Sequence, residues 1–205
     1  VEQRSEEGTG EELFAQIQEE KKRLIAEKKI KKEKPLPEIT EDEKPFDIPE
    51  SWIWVRLSQI WSILNGDRGK NYPSQKEIIT SGGIPFVNAG HLNGRAIEFE
   101  AMNYITPEKY EKLNSGKFQQ NDILYCLRGS LGKKALINDN IYGAIASSLV
   151  IIRPNLEKVR PQYLMLALET PLIKEQLFKF NNGSSQPNLS AKSVKEYKLE
   201  LPDLF

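Results

Sequence analysis

Apolar positions along the first part of the chain recur at helical spacing. Leu13, Ile17 and Leu24 lie on one face of a predicted helix. Thr9, followed three residues later by Glu12, fits a capping box that marks the start of this helix. A helix of this length depends on tertiary packing. The stripe therefore requires a partner helix, either elsewhere in the full-length protein or in another subunit.

The following segment breaks the helical pattern. Pro35, Pro37, Pro45 and Pro49 stand among acidic residues, and proline restricts both itself and the residue before it to extended conformations. The segment is predicted to be a semi-rigid strap. The predicted organisation is an N-terminal helical segment for spacing or subunit docking (1–33), a proline-rich linker (34–49) and a recognition domain (50–205).

Within the last part, short apolar runs alternate irregularly with helical patterns. Predicted strands are 53–57, 61–64, 84–87, 95–100, 122–127, 133–138, 143–152 and 197–201, and predicted helices are 107–113, 161–168, 171–180 and 190–196. Thr106-Pro107 and Thr170-Pro171 place a capping hydroxyl before proline at two of the helix starts. Strands and helices do not alternate regularly, which argues against a doubly wound parallel sheet. The prediction is an irregular, largely antiparallel mixed-sheet α+β domain with short helices.

The most informative stretch lies between residues 121 and 152. The apolar run 123–127 predicts a buried strand. It opens into a glycine- and serine-containing loop that carries Arg128, Lys133 and Lys134, and a second apolar strand follows. Backbone N–H groups and cations then share one exposed edge, an arrangement that suits a polyanion.

Composition excludes several classes of protein. The single cysteine, Cys126, rules out a disulfide framework and a cysteine-based zinc site. No apolar run approaches the length of a membrane span, and no signal-peptide pattern opens the chain. We expect a cytoplasmic protein. Lys and Arg total 29 against 29 Asp and Glu, so net charge alone does not indicate nucleic-acid binding.

Enzyme motifs are not convincing. A lone histidine, His91, cannot build a histidine-rich metal site, and its loop is expected to be exposed. Glu196-Tyr-Lys198 has the spacing of a nuclease pair, but no aspartate between Asp139 and Asp203 completes a metal site. Phosphate-binding glycine motifs and the methyltransferase base-flipping motif are both missing from the sequence. The chain is predicted not to be an enzyme and to carry no cofactor or metal, although a cryptic nuclease stays open as an alternative.

Binding loops are better represented. Four loops combine glycine with polar and basic side chains: 65–72, 88–95, 128–134 and 181–188. Arginine, lysine and hydroxyl groups contact phosphates, and arginine, asparagine and glutamine read base edges. The same residue types also cluster in turns for backbone reasons alone, so spacing leaves nucleic-acid binding as one of several hypotheses.

Five motifs in register resemble the target-recognition domain of type I restriction–modification specificity (S, HsdS) subunits. They are Ile48 to Leu57, Ile84 to Gly90, Asp122 to Lys133, Ala146 to Leu149 and Gly183 to Ser190. The segment upstream of residue 48 resembles the one that precedes such a domain, and Tyr197 to Pro202 resembles its exit. The resemblance covers almost the whole chain.

The resemblance implies that the chain reads one half of a bipartite site in double-stranded DNA. Partner modification (methyltransferase) subunits would bind S-adenosylmethionine, and a restriction subunit would use ATP and Mg²⁺. Family members usually carry two recognition domains, so the chain is expected to be either a fragment or a half-length subunit that dimerises. A second domain would come in cis or by dimerisation.

The resemblance also suggests roles for individual residues. Leu13, Ile17 and Leu24 are predicted to dock on the spacer helix or a modification subunit. Loops 66–76 and 88–97 are the candidates for reading bases, whereas 128–133 and 186–190 are expected to contact phosphates or form scaffold. The predicted DNA-binding residues are Arg68, Lys70, Tyr72, Asn88, His91, Asn93, Arg95, Arg128, Ser130, Lys133, Lys134, Gln186 and Asn188. A protein-interaction module of the same fold without DNA binding is the alternative.

Overall fold

The structure is a computed structural model that describes residues 8–155, 159–181 and 187–202. Its helices are α1 (Gly10–Ala26), α2 (Leu57–Ile60), α3 (Pro107–Lys112), α4 (Pro161–Ala167), α5 (Pro171–Phe180) and α6 (Ala191–Lys195). Every predicted helix is present. The predicted capping hydroxyls also accept as expected, since the backbone N–H groups of Lys109 and Ile173 donate to Thr106 Oγ1 and Thr170 Oγ1 at 3.2 and 3.4 Å.

Twelve strands occur within the described residues. They are β1 (Ile53–Arg56), β2 (Trp61–Asn65), β3 (Ile84–Val87), β4 (Leu92–Asn93), β5 (Ala96–Ile97), β6 (Tyr104–Ile105), β7 (Lys117–Phe118), β8 (Ile123–Cys126), β9 (Lys134–Leu136), β10 (Gly143–Ile145), β11 (Leu149–Pro154) and β12 (Lys198–Leu201). Two four-stranded sheets, ordered β6-β3-β10-β7 and β2-β11-β8-β9, are accompanied by the pairs β1-β12 and β4-β5. All pairings are antiparallel except β3 with β10. The predicted α+β class is confirmed.

Two predicted strands differ from the structure. The run 143–152 is two strands, because β10 pairs with β3 and β7 whereas β11 pairs with β2 and β8. The chain changes sheets at Ala146–Ser148, where the N–H of Leu149 donates to Ala146 O at 3.0 Å. The predicted strand 95–100 is only the two residues of β5. Sheet membership is a tertiary property, which an unbroken apolar run does not display.

Helix α1 packs on the rest of the chain. Its capping box is confirmed, with Glu12 N–H donating to Thr9 Oγ1 and Thr9 N–H donating to Glu12 Oε2. Leu13 and Ile17 are only 4% and 0% exposed and belong to the main hydrophobic core, together with residues of β1, β2 and β12. Their predicted docking on another helix or subunit is therefore wrong, because the recognition domain itself covers them. Leu24 is half-buried, and its docking role stays a prediction.

The proline-rich strap is tied to the domain. Arg56 donates through Nε to Pro37 O at 3.0 Å and pairs with Glu43 at 3.1 Å. Lys198 on β12 donates to Glu43 O at 2.8 Å. The strap is therefore fixed by a buried arginine and by the last strand. The division into 1–33, 34–49 and 50–205 stays a prediction.

Candidate nucleic-acid interface

The loop between β8 and β9 is a fixed turn that displays cations. Gly129 and Gly132 have φ angles of +76° and +77°, a region that glycine adopts without strain. The N–H of Cys126 donates to Lys133 O at 2.8 Å and closes the base of the turn. Arg128, Ser130 and Lys133 are exposed. Among the described residues no acidic side chain pairs with Arg128 or Lys133, so their charges face solvent.

Ser147, at the break between β10 and β11, joins this turn to the loop after β2. Its carbonyl accepts from Arg68 Nη2 at 3.4 Å, and its N–H donates to Tyr72 Oη at 3.4 Å. The carbonyl of the next residue, Ser148, accepts from the N–H of Leu127 at 2.8 Å, which leads directly into the β8–β9 turn. The loop after β2 and the β8–β9 turn, which are far apart in sequence, thus meet at residues 147 and 148.

The segment after residue 186 completes the same surface. Arg128 and Asn188 form an isolated antiparallel bridge, and the N–H of Gly129 donates to Pro187 O at 3.1 Å. The N–H of Asn188 donates to Asn181 Oδ1 at 3.0 Å. We call the resulting surface the loop face, defined as residues 66–72, 127–133, 146–148 and 187–190. It brings together the predicted residues Arg68, Lys70, Tyr72, Arg128, Ser130, Lys133 and Asn188, while Gln186 lies outside the described residues.

Asp67 organises the first loop of this face. Its side chain is buried and accepts from the N–H groups of Gly69 and Asn114 at 2.8 and 2.9 Å. These backbone hydrogen bonds lower the pKa of the Asp67 carboxyl. The carboxylate is thereby committed to shaping the loop, and Arg68 and Lys70 remain exposed beside it. Only the tertiary contact with Asn114 reveals this role.

Two predicted residues before β4 are parts of the scaffold. Asn88 caps a short 3₁₀ turn through Oδ1, which accepts from the N–H of Gly90 at 2.8 Å. His91 is 7% exposed, and its Nδ1 accepts from the N–H of Asn88 at 3.1 Å. Burial lowers the pKa of His91. The expected exposed loop position of His91 is therefore wrong, and the buried ring offers little surface to a partner.

Arg95 and Lys134 share one acidic partner, Glu169, whereas Asn93 contacts a different acid. Arg95 Nε lies 2.9 Å from Glu169 Oε1, and Lys134 Nζ lies 3.5 Å from the same oxygen. Asn93 donates to Glu98. Burial lowers the pKa of Lys134, and the Glu169 carboxylate opposes that shift. These cations are neutralised locally, and Glu169 carries no sequence signal that would have predicted its contact with Arg95.

Catalytic alternatives gain no support from this geometry. Lys198 belongs to the candidate nuclease pair. Its Nζ donates to the main-chain oxygen of Glu43 and also lies near the Glu43 carboxylate. Among the described residues, no group of three or more His, Cys, Asp or Glu side chains is arranged to hold a metal ion. None of the helices in the described part combines the length and apolar character of a membrane span.

Comparison with known families identifies the chain. The family model described as "Type I restriction modification DNA specificity domain" matches residues 49–204. The chain belongs to this family. The specificity domain is 33% identical over 136 residues to the Type I restriction enzyme EcoAI specificity subunit of Escherichia coli, covering 66% of this chain and 21% of that protein. It is 29% identical over 163 residues to the EcoEI specificity subunit of the same organism, covering 78% and 26%.

Solved structures agree with the fold. The specificity domain superposes with a TM-score of 0.57 on the HsdS subunit from Thermoanaerobacter tengcongensis, at 19% identity, covering 94% of this chain and 41% of that one. A chain from a structural study of complex assembly and conformational transition of the type I R-M system gives a TM-score of 0.60 at 18% identity, covering 95% and 43%. The matched regions span only 21% and 26% of the lengths of the EcoAI and EcoEI specificity subunits. The predicted family and the predicted DNA-specificity domain are confirmed.

Proposed function

We propose that the loop face contacts double-stranded DNA and that the specificity domain reads one half of a bipartite site. The carrying observation is the Ser147 junction, which links Arg68 and Tyr72 to the turn that bears Arg128. Exposed cations from separate loops thereby share one surface, as contact with the phosphates and bases of one stretch of DNA requires.

Different parts of the loop face would have different tasks. Arg128, Ser130 and Lys133 lie on a fixed turn and supply charge and hydroxyl groups for phosphates. Arg68 and Lys70 project from the loop after β2 and would approach base edges. The ring of Tyr72 packs edge-on against Phe86 with centroids 5.8 Å apart. Together with its hydrogen bond to Ser147, this contact supports a positioning task for Tyr72 rather than base contact.

The DNA-reading task would be performed within a larger complex in the cytoplasm. Relatives are named as specificity subunits of type I restriction enzymes, and a neighbouring structure concerns assembly of a type I R-M system. We infer that modification subunits supply S-adenosylmethionine-dependent methyl transfer and that a restriction subunit supplies ATP- and Mg²⁺-dependent chemistry. A second recognition domain, in cis or by dimerisation, would read the other half of the site.

Salt-dependent DNA binding tests this proposal. Fluorescence anisotropy of a duplex would be measured across a salt series, with the chain alone and mixed with its cognate methyltransferase subunit. Lys133→Ala and Arg128→Ala, at the two cations assigned to phosphates, are compared with Arg160→Ala, at an exposed arginine outside the loop face. Each loop-face substitution should flatten the log–log salt slope by about 0.9 for every phosphate that the protein no longer neutralises, whereas Arg160→Ala should leave it unchanged. Equal effects of all three, or salt-insensitive binding of a protein partner only, would favour the interaction-module alternative.

A further inference from the structure

Strand β2 forms an open sheet edge. Within the described residues it pairs only with β11, in a continuous register from Asn65–Val150 to Trp61–Pro154. In an antiparallel strand, alternate residues direct N–H and C=O groups away from the neighbour. Proteins usually protect such edges with lysine, proline or a bulge on the strand itself. The sequence Trp-Ser-Ile-Leu-Asn of β2 has neither lysine nor proline, and its continuous register has no bulge.

A groove of about 520 Å³ runs along this edge. All five residues of β2 line it, and its other walls include Lys21 of α1, residues from 29–33 and the segment 114–117. The volume lies within the range of about 300–1,000 Å³ that is typical of ligand sites. The open edge is therefore accessible within a shaped groove rather than on a flat surface.

The groove carries a surplus of positive charge. Its lining has one carboxylate, that of Glu33, and six cationic side chains: Lys21, Lys29, Lys31, Lys117, Arg153 and Lys195. Three of these cations pair with carboxylates outside the lining, Lys29 with Glu27, Lys117 with Glu111 and Arg153 with Asp122. Lys195 pairs with Glu33 at 2.5 Å, whereas Lys31 is exposed and has no acidic partner among the described residues. Burial lowers the pKa of Lys21, the Glu33 carboxylate opposes that shift, and the charge of Lys195 adds to it. An anionic occupant would be complementary to this surface.

We propose that the groove along β2 binds an extended, acidic segment of a protein partner by strand addition. Main-chain groups of the segment would pair with the free edge of β2, and its carboxylates would meet the lysines on the facing walls. A nucleic-acid strand lacks the repeating N–H and C=O groups that pair with a strand edge, so a peptide fits the groove better. The site uses none of the residues of the loop face.

The three tryptophans provide the test. A short peptide of alternating valine and glutamate is titrated into the ¹⁵N-labelled chain, and indole and backbone N–H signals are followed by NMR. The Trp61 indole and the amides of 61–65 should shift, while the indoles of Trp52 and Trp54, which lie outside the groove, serve as references. A peptide of alternating valine and lysine should leave the chemical shifts of all these signals unchanged.

Adjacent lysines supply matched variants. Lys31→Glu should weaken binding of the acidic peptide by about threefold, the size expected for one exposed ion pair. Lys32→Glu makes the same charge change at an exposed residue that does not line the groove, and it should have a smaller effect. Equal weakening by the two variants, or shifts confined to Trp52 and Trp54, would overturn the proposal. The proposal would also fail if duplex DNA, and not the acidic peptide, shifted the NMR signal of the Trp61 indole. It would fail as well if the β2 amide signals shifted only with protein concentration, because that would indicate self-association through this edge.

Discussion

The guanidinium of Arg95 lies against the carboxylate of Glu169, with Nε 2.9 Å from Oε1. The same carboxylate also holds Lys134, so one acid restrains two cations that were predicted to face DNA. Glu169→Gln should release both charges and tighten non-specific duplex binding. The salt slope should steepen by up to about 0.9 for each additional phosphate that the released cations neutralise. Anisotropy across a salt series measures this change.

Glu175→Gln is the matched control for that experiment. Glu175 is exposed on α5, and its replacement removes the same charge without releasing Arg95 or Lys134. A similar gain in DNA affinity for both variants would show that only the net charge of the protein mattered. Binding that Glu169→Gln leaves unaltered would remove Arg95 and Lys134 from the DNA-contacting set.

The contact between Arg56 and Glu43 should stabilise the fold. The Arg56 side chain is only 9% exposed. Removal of the opposing charge therefore leaves a largely buried cation that donates to Pro37 O but faces a neutral side chain at residue 43. Glu43→Gln should lower the free energy of unfolding by about 1–2 kcal/mol. Urea denaturation followed by tryptophan fluorescence measures it. Asp42→Asn, at an exposed neighbouring residue, should change the free energy of unfolding by no more than about 0.5 kcal/mol. Equal losses in the two variants would contradict a stabilising role of the Arg56–Glu43 pair.

His91 should make stability depend on pH. Its Nδ1 accepts a hydrogen bond and must be unprotonated in the fold, and burial holds its pKa below the usual value of about 6.5. Because the unfolded chain then binds the proton more readily, the contribution of His91 to stability is present above pH ~6.5. It is lost as pH falls through that value toward the lower folded-state pKa.

The pKa of His91 can be measured directly because the chain has one histidine. An NMR titration of its ring signals should give a midpoint below about 6.5. Thermal unfolding temperatures should fall between pH ~7 and ~5.5 more steeply for the native chain than for His91→Gln. A midpoint above about 6.5, or parallel pH profiles for the two proteins, would contradict the structural position of the ring.

The sequence predicted those features that neighbouring residues determine. The Thr9–Glu12 capping box and the threonine–proline helix starts depend on contacts within three residues, so they can be recognised without a fold. The Ser147 junction and the Glu169 contacts join segments separated by more than 30 residues. No local pattern encodes them. The resemblance to specificity domains predicted which loops bind DNA but not which of their cations are already neutralised.

Helix α1 shows the same limit of local sequence patterns. Its apolar stripe was predicted correctly, but the predicted partner, another helix or subunit, was wrong for Leu13 and Ile17, because periodicity shows which face is buried and not what buries it. Ile17 is fully buried in the core whereas Leu24 is half-buried. Ile17→Ala should therefore cost about 2–5 kcal/mol of unfolding free energy in the isolated chain, and Leu24→Ala clearly less. Urea denaturation of the two variants without any partner subunit decides this. Small and equal losses would mean that α1 requires another subunit to cover its apolar face after all.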